Sequence, residues 1–447
     1  MAYRAAPLDT DRLPPGIPYI VGNEAAERFS FYGNNAILVV FMTTYLRDAS
    51  GALAVMTEQQ ANVWAHLFKS AAYFFPLLGA ILSDGVWGKY TTIMRISLFY
   101  CAGHAALALD DTRLGLGIGL ALIAVGAGGI KPCVSAHVGD QFSTRNQHLL
   151  EQVFGWFYVA INVGAAVAYV VTPLFLDRVG PGLAFGVPGI LMGVATLVFW
   201  LGRNEYAHVP AARKAFFADL AQPEGLRAVA RLLPLYAFVA VFWSLYDQTG
   251  STWVLQAEKM DREFLGVTWL SSQIGAVNPI LILLFVPLSA KVAYPLIQRV
   301  WRLSALRKIG LGLFLTVPSF LLTAWVESQI QQGLHPSIGW QLLAYAIITA
   351  AEILVSVTCL EFAYTQAPNR MKSLIMGLYW CSVASGNLFT ALVNEVIQNP
   401  DGTSRIAGVD YFLFFSALMG AAAVLYVPFA RAFQERTYVQ DAAPSAG

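Results

Sequence analysis

Charge is what this sequence lacks. Of 447 residues only 12% are Asp, Glu, Lys or Arg, against 57% hydrophobic, whereas a soluble domain carries about 25% charged residues. With a mean hydropathy of +0.57, that scarcity excludes an ordinary soluble chain and points to an all-α integral membrane protein. Sustained alternation of period two is missing, which excludes an outer-membrane barrel. No basic tract occurs and the net charge is +1, so no nucleic-acid partner is expected. Cysteine is scarce: Cys101, Cys133, Cys359 and Cys381 fall in apolar runs at no metal-ligand spacing and read as small core residues. HExxH, Walker and nucleophile-elbow motifs are absent, so an enzyme of those kinds, a metal and a cofactor are not expected. Nor is a cleavable signal peptide. The first 16 residues are polar and proline-rich, and the first apolar run is too long for a signal segment.

Long apolar runs are what the chain has. Runs of about 20 apolar residues mark membrane spans. Twelve are predicted, at roughly 18–46, 58–83, 91–109, 114–137, 150–172, 184–202, 232–255, 268–290, 308–327, 340–365, 373–397 and 409–432. An even count puts both termini on one side. That side, with the loops following even-numbered spans, collects about 18 Lys and Arg against about six on the other. The positive-inside rule then makes it cytoplasmic. Residues 203–231 form the longest interior loop and separate six spans from six. They read either as an amphipathic surface helix or as a solvated linker. The resulting plan is a cytoplasmic tail (1–16), a six-helix bundle (17–202), a linker (203–231), a second six-helix bundle (232–432) and a tail (433–447). Two bundles about a basic linker is a transporter layout by analogy, since no clear repeat relates the halves.

The few charges inside these spans are therefore informative, because burying one at bilayer depth costs about 2.5–3.5 kcal/mol. In the first span, Glu24, Glu27, Arg28, Phe31 and Asn35 fall within roughly 100° of helical arc, so one face carries them all. In the fourth, Lys131 follows seventeen uncharged residues. It reads either as a lysine snorkelling from the helix end or as a paired or substrate-binding ammonium. In the tenth, Glu361 with Thr365 one turn on is the site candidate. Glu352, nine residues earlier and about 180° around, is taken as structural. In the second, His66, Lys69 and Tyr73 are spaced i, i+3, i+7. His66 is a proton carrier, since a free imidazole titrates near pH 6.5, or a hydrogen-bonded packing residue. Asp247 in the seventh span needs a cation or a wet cavity. Asn162 and Asn278 add hydrogen-bonding groups in both halves. Between spans two and three, the turn from Asp84 to Lys89 reads as a cytoplasmic hinge with a charge clamp at its ends.

EAAERFSFYG, GAGGIKPCVSAHVGDQF, FYVAINVG, FWSLYDQTGS and LEFAYTQAP resemble, in order, signature segments of the proton-dependent oligopeptide transporter family of the major facilitator superfamily. GAILSDGVWGK is similar to that superfamily's loop motif. The resemblance implies proton-coupled import of di- and tripeptides by alternating access between two bundles. It implies proton-coupling roles for Glu24, Glu27, Arg28, His66, Asp247 and Glu361. It implies that Lys131 pairs with the first-span charges and holds the peptide carboxylate, with Glu361 at the amine. Tyr32, Tyr73, Tyr158, Asn162, Trp243, Asn278 and Trp380 would line the pocket. Two departures stand out: Phe31 replaces the first tyrosine of a usual pair, and Asn35 replaces an arginine that pairs with the seventh-span acid. Asp247 is therefore expected to lack its partner, and carboxylate recognition to fall on Lys131 or Lys69. The expected partners are peptide, protons and the lipid bilayer, with the protein working as a monomer in a plasma (inner) membrane. The rival reading is a same-fold carrier of nitrate, an amino acid or a peptide-like compound.

Overall fold

A computed structural model describes residues 3–211, 213, 223–366, 372–399 and 403–433. Long helices account for most of them. The first group is α1 (Ile17–Val40), α2 (Glu58–Leu82), α3 (Lys89–Leu109), α4 (Arg113–Gly139), α5 (Leu150–Arg178) and α6 (Pro181–Leu201). The second is α7 (Pro223–Tyr246), α8 (Val277–Leu288), α9 (Ala305–Gln331), α10 (Gly339–Glu352), α11 (Lys372–Ile397) and α12 (Val409–Ala432). Eleven of these segments are long and apolar enough to cross a membrane. The twelfth, α1, has 24 residues, about 36 Å at 1.5 Å per residue. It misses on composition alone, because Glu24, Glu27 and Arg28 crowd one stretch.

Local sequence sets the ends and breaks. Thr57 caps α2: its hydroxyl accepts from the Gln60 amide at 3.2 Å while the Gln60 side chain accepts from the Thr57 amide at 3.3 Å, a reciprocal capping box. Wide turns carry α1 through Phe41–Tyr45, α2 through Ser83–Trp87, α8 through Ser289–Ala293 into Tyr294–Gln298, and α10 through Ile353–Val357 into Thr358–Thr365. Such bulges re-aim side chains and frequent functional sites. α7 breaks into a tight turn at Asp247–Gly250 and resumes as Thr252–Ala257. A two-residue hairpin, β1 (Glu263–Phe264) against β2 (Val267–Thr268), follows. Its turn residues Leu265 and Gly266 both have positive φ, the backbone a tight hairpin of this twist demands.

The apolar core divides in two. One cluster joins residues from Ile17 to Tyr206 with Val254 and Leu255; the other runs from Leu232 to Tyr426. Within the first, α2 and α4 cross closely. A side chain at Gly79 would begin 2.5 Å from the Gly129 carbonyl oxygen, so only glycine permits the approach.

The helix that carries the seventh span begins at Pro223, and its apolar stretch is Val229–Ala257. Residues 203–211 lie against the first bundle, and 212 and 214–222 fall outside the described residues. One expectation changes. The clamp expected within the turn after α2 is not formed: Lys89 reaches Asp140 at the end of α4, 2.8 Å away. The ion pair therefore ties α3 to α4.

Candidate functional site

A cavity of about 330 Å³ lies between the two groups of helices and is lined from both, within the size range of small-molecule sites. The first bundle contributes Glu24, Arg28, Tyr32 and Asn35 of α1, Lys69 and Tyr73 of α2, Lys131 of α4, and Asn162 and Tyr169 of α5. The second contributes Trp243, Tyr246 and Asp247 of α7, Asn278 of α8, Tyr345, Glu352 and Ser356 around α10, and Trp380 of α11. Cross-bundle ties cluster at the end away from the linker. Lys259 pairs with Glu58 at 2.7 Å, Gln398 donates to Thr57 at 3.3 Å, and Gln273 donates to the Val170 carbonyl at 3.0 Å.

The charges are arranged unequally. Arg28 pairs with Glu24 at 3.2 Å and with Glu27, so one guanidinium serves two carboxylates on adjacent turns of the same face. Glu24 borders the cavity, while Glu27 is fully buried behind it and one of its oxygens has no hydrogen-bond partner. Lys69 spans the bundles, bonding the Asp247 carboxylate at 3.2 Å and its carbonyl at 2.7 Å. Gly250 leaves room for that ammonium: a Cβ there would sit 3.2 Å from it.

Two opposite charges lack ionic partners. No carboxylate of a described residue comes within 4.0 Å of the Lys131 ammonium. It faces the rings of Tyr73, Trp380 and Phe31, at 4.1, 4.7 and 5.4 Å from their centroids. Tyr73 and Trp380, from different bundles, stack 5.6 Å apart. Such cation–π contacts hold a cation without neutralising it. Across the cavity, Glu352 accepts from Asn278 at 2.8 Å, and Asn278 also donates to Thr349 at 3.0 Å. No described cation lies within 4.0 Å of Glu352. An unneutralised ammonium in one bundle and an unneutralised carboxylate in the other thus share one chamber.

Residues 90–223 and 213–409 match the PTR2 model of the POT family. The chain belongs to the POT family. It is 35% identical over 369 residues to Peptide transporter family 1 of Drosophila melanogaster, covering 72% of this chain and 49% of that protein. It is 33% identical over 398 residues to Solute carrier family 15 member 2 of Rattus norvegicus, covering 78% and 53%. The chain thus spans about half the length of these curated relatives. Among solved structures, an auto-inhibited POT family peptide transporter superimposes with a TM-score of 0.87 at 35% identity, covering 96% of this chain and 99% of that one.

Within this POT-family fold, most residues singled out by sequence meet at the cavity: Glu24, Arg28, Tyr32, Asn35, Lys69, Tyr73, Lys131, Asn162, Trp243, Asp247, Asn278 and Trp380. Tyr158 lies just beside it, its carbonyl accepting from Asn162 at 2.9 Å. Three expectations are corrected. Glu361 is exposed and lines no part of the cavity, and Thr365 turns its hydroxyl onto the Phe362 carbonyl. The cavity acid of α10 is Glu352. The half-turn opposition of the two glutamates holds, but their assignment reverses, because depth decides: Glu352 is mid-span, whereas Glu361 is one turn from the helix end and reaches solvent. Asp247 does not lack a partner either. Lys69 supplies the cation that Asn35 does not, while the Asn35 amide turns back to the Phe31 carbonyl at 3.0 Å.

Sequence reasoning also missed Asn387 of α11, an uncharged amide within the eleventh span. Its Nδ2 donates to Asp247 at 2.6 Å and to the Val383 carbonyl at 3.0 Å. Both are acceptors only, which fixes the amide: Oδ1 must face His66 Nδ1, 2.8 Å away. His66 therefore carries its proton on Nδ1, and Nε2 accepts from Ser251 at 2.9 Å. If Nε2 gains a proton, the serine hydroxyl need only turn toward the Gln248 carbonyl, 3.5 Å away. His66 lies behind the cavity rather than on it. Through Asn387 it is joined to the Asp247–Lys69 pair that ties the bundles.

Asn387→Leu would strip one buried hydrogen bond from His66, which keeps Ser251, and one from Asp247, which keeps Lys69, at about 1–3 kcal/mol per group. Substrate uptake should fall at least about tenfold. Combined with Asp247→Asn, Asn387→Leu should cost less than the sum of the two single losses, because the two side chains share one hydrogen bond. Additive losses in initial uptake rate would contradict that linkage.

Proposed function

We propose that the protein is a proton-coupled symporter of di- and tripeptides working by alternating access. The observation that carries this reading is the pairing of the uncompensated Lys131 ammonium with the uncompensated Glu352 carboxylate across one chamber. A zwitterionic peptide offers the complementary charges at its two ends: carboxylate to Lys131 and Arg28, amine to Glu352. Tyr32, Tyr73, Trp243 and Trp380 would pack its side chains with little discrimination, giving broad specificity. A lone anion such as nitrate would answer the lysine and leave Glu352 facing it, so the peptide reading is favoured. In this reading both termini are cytoplasmic, the host is the plasma (inner) membrane, the functional unit is a monomer, and the conformation is closed on the far side.

Coupling would run through the two carboxylates that share Arg28. Glu24 is reached from the cavity and can take a proton from it. Glu27, fully buried, must answer by rearranging its pairing with Arg28. A proton arriving on this pair weakens its hold on Arg28 and biases the bundles toward the other opening. Glu27→Gln should abolish gradient-driven accumulation while leaving peptide exchange measurable. Accumulation equal to wild type would remove Glu27 from the coupling path.

The deciding experiment for the function is uptake of labelled dialanine into proteoliposomes, with and without an inward proton gradient, in competition with nitrate and with free alanine. Gradient-stimulated uptake that only unlabelled dipeptide blocks is the expected result. Blocking by nitrate or alanine instead would favour the other carriers.

A further inference from the structure

A second concavity lies far from the cavity, at the linker end of α9 and α12. It encloses about 590 Å³. Its wall is apolar, formed by Gly310, Leu311 and Phe314 of α9 facing Val427 and Ala430 of α12. Its floor is Tyr426, whose hydroxyl is already used, donating to the Leu306 carbonyl at 3.0 Å. Its rim is different: Arg307, Arg431, Trp301 and Ser304 stand at the mouth. Arg307 leans on the Trp301 ring, 5.1 Å from its centroid, and donates to the Arg302 carbonyl at 2.6 Å.

The surrounding sequence is one-signed. From Phe264 to Val326 there is no Asp or Glu, yet Lys291, Arg299, Arg302, Arg307 and Lys308 fall within it. From Tyr411 to Phe433 there is again no acid, and Arg431 is present. Among the described residues, no carboxylate comes within 4.0 Å of Arg307 or Arg431, so the rim gathers positive charge. Arg307 and Phe314 are seven residues apart, about 10 Å along the helix. The groove thus runs from the interfacial arginines into the depth of the acyl chains. Trp301 is 42% exposed and Phe314 43%, as suits an interfacial anchor and a ring in contact with acyl chains.

We propose that this groove binds an anionic phospholipid, its phosphate between Arg307 and Arg431 and one acyl chain along Leu311, Phe314 and Val427. A soluble anion would have no use for the apolar wall, and a zwitterionic lipid carries its own ammonium against the arginines. Basic recesses between membrane helices suit anionic headgroups for this reason. The site shares no residue with the transport cavity, so it stands whatever the cargo is.

The test uses the full chain in phosphatidylcholine vesicles containing a diazirine-tailed phosphatidylglycerol or, separately, a diazirine-tailed phosphatidylcholine at equal mole fraction. After irradiation the labelled residues are mapped by mass spectrometry. On α9 and α12, the phosphatidylglycerol probe should exceed the other by about 30-fold, the scale set by two interfacial cations acting on one anionic lipid. R307Q/R431Q should erase that excess. Ala430→Phe, which fills the groove without touching its charge, should lower labelling by both probes. Both variants alter surface positions, and monodisperse elution with unchanged labelling elsewhere verifies their folding. Equal labelling of the wild-type groove by the two probes, or an excess that survives R307Q/R431Q, would overturn the assignment.

Discussion

Lys131→Ala is expected to reduce dialanine uptake by at least about 100-fold, on the scale of the ~3 kcal/mol carried by hydrogen bonds to a charged group. The size follows from its isolation. A lysine held only by aromatic rings is free to be claimed by an incoming carboxylate, so its loss removes the anchor of one peptide end. The same isolation predicts a small effect on folding. No described carboxylate lies within ion-pair distance of Lys131, so its removal strands no salt-bridge partner. Initial rates in proteoliposomes should collapse while the thermal unfolding midpoint in detergent moves little. Near-normal uptake would take Lys131 out of the site; a collapse of both quantities would make it a structural residue.

The second large effect separates two glutamates on one helix. Glu352→Gln keeps an oxygen for Asn278 and removes only the charge. Peptide uptake should fall by about 30- to 100-fold, the cost of leaving a bound amine without its counter-ion. Glu361→Gln, at the exposed position, should stay within about twofold of wild type, as surface changes away from special features usually do. Measuring both in one series controls for expression and reconstitution. If Glu361→Gln proves the damaging change, the cavity's acid has been placed wrongly.

Much of this was legible in the sequence, and the physical reasons are uneven. Membrane spans are set by hydrophobic length, a property of consecutive residues, so the twelve segments and most of their ends could be read directly. The α1 face was legible because Glu24, Glu27, Arg28 and Asn35 share one regular helix, where angle follows from count. The partner of Asp247 was not. Lys69 belongs to a different helix, and no local rule states which cation of one bundle meets which acid of the other. Asn387 was invisible for a related reason: an uncharged amide within a span gains meaning only from the imidazole and carboxylate that two other helices bring to it. Glu352 was the avoidable miss. Counting residues to each end of the span would have placed it at the costliest depth, thirteen from Gly339 and thirteen from Thr365, where a charge persists only with a function or a partner.

The aromatic cage around Lys131 is built from both halves of the molecule. Tyr73 and Phe31 travel with one bundle and Trp380 with the other, so the full box exists only while the bundles hold their present relation. Rocking them apart removes the indole and withdraws about 0.5–2 kcal/mol of cation–π attraction. The ammonium then has less reason to stay on the rings and more to offer a carboxylate. Under the proposed alternating access, the ammonium's hold on a bound carboxylate would therefore differ between the two orientations, an asymmetry written into the stacking of a single tyrosine on a single tryptophan.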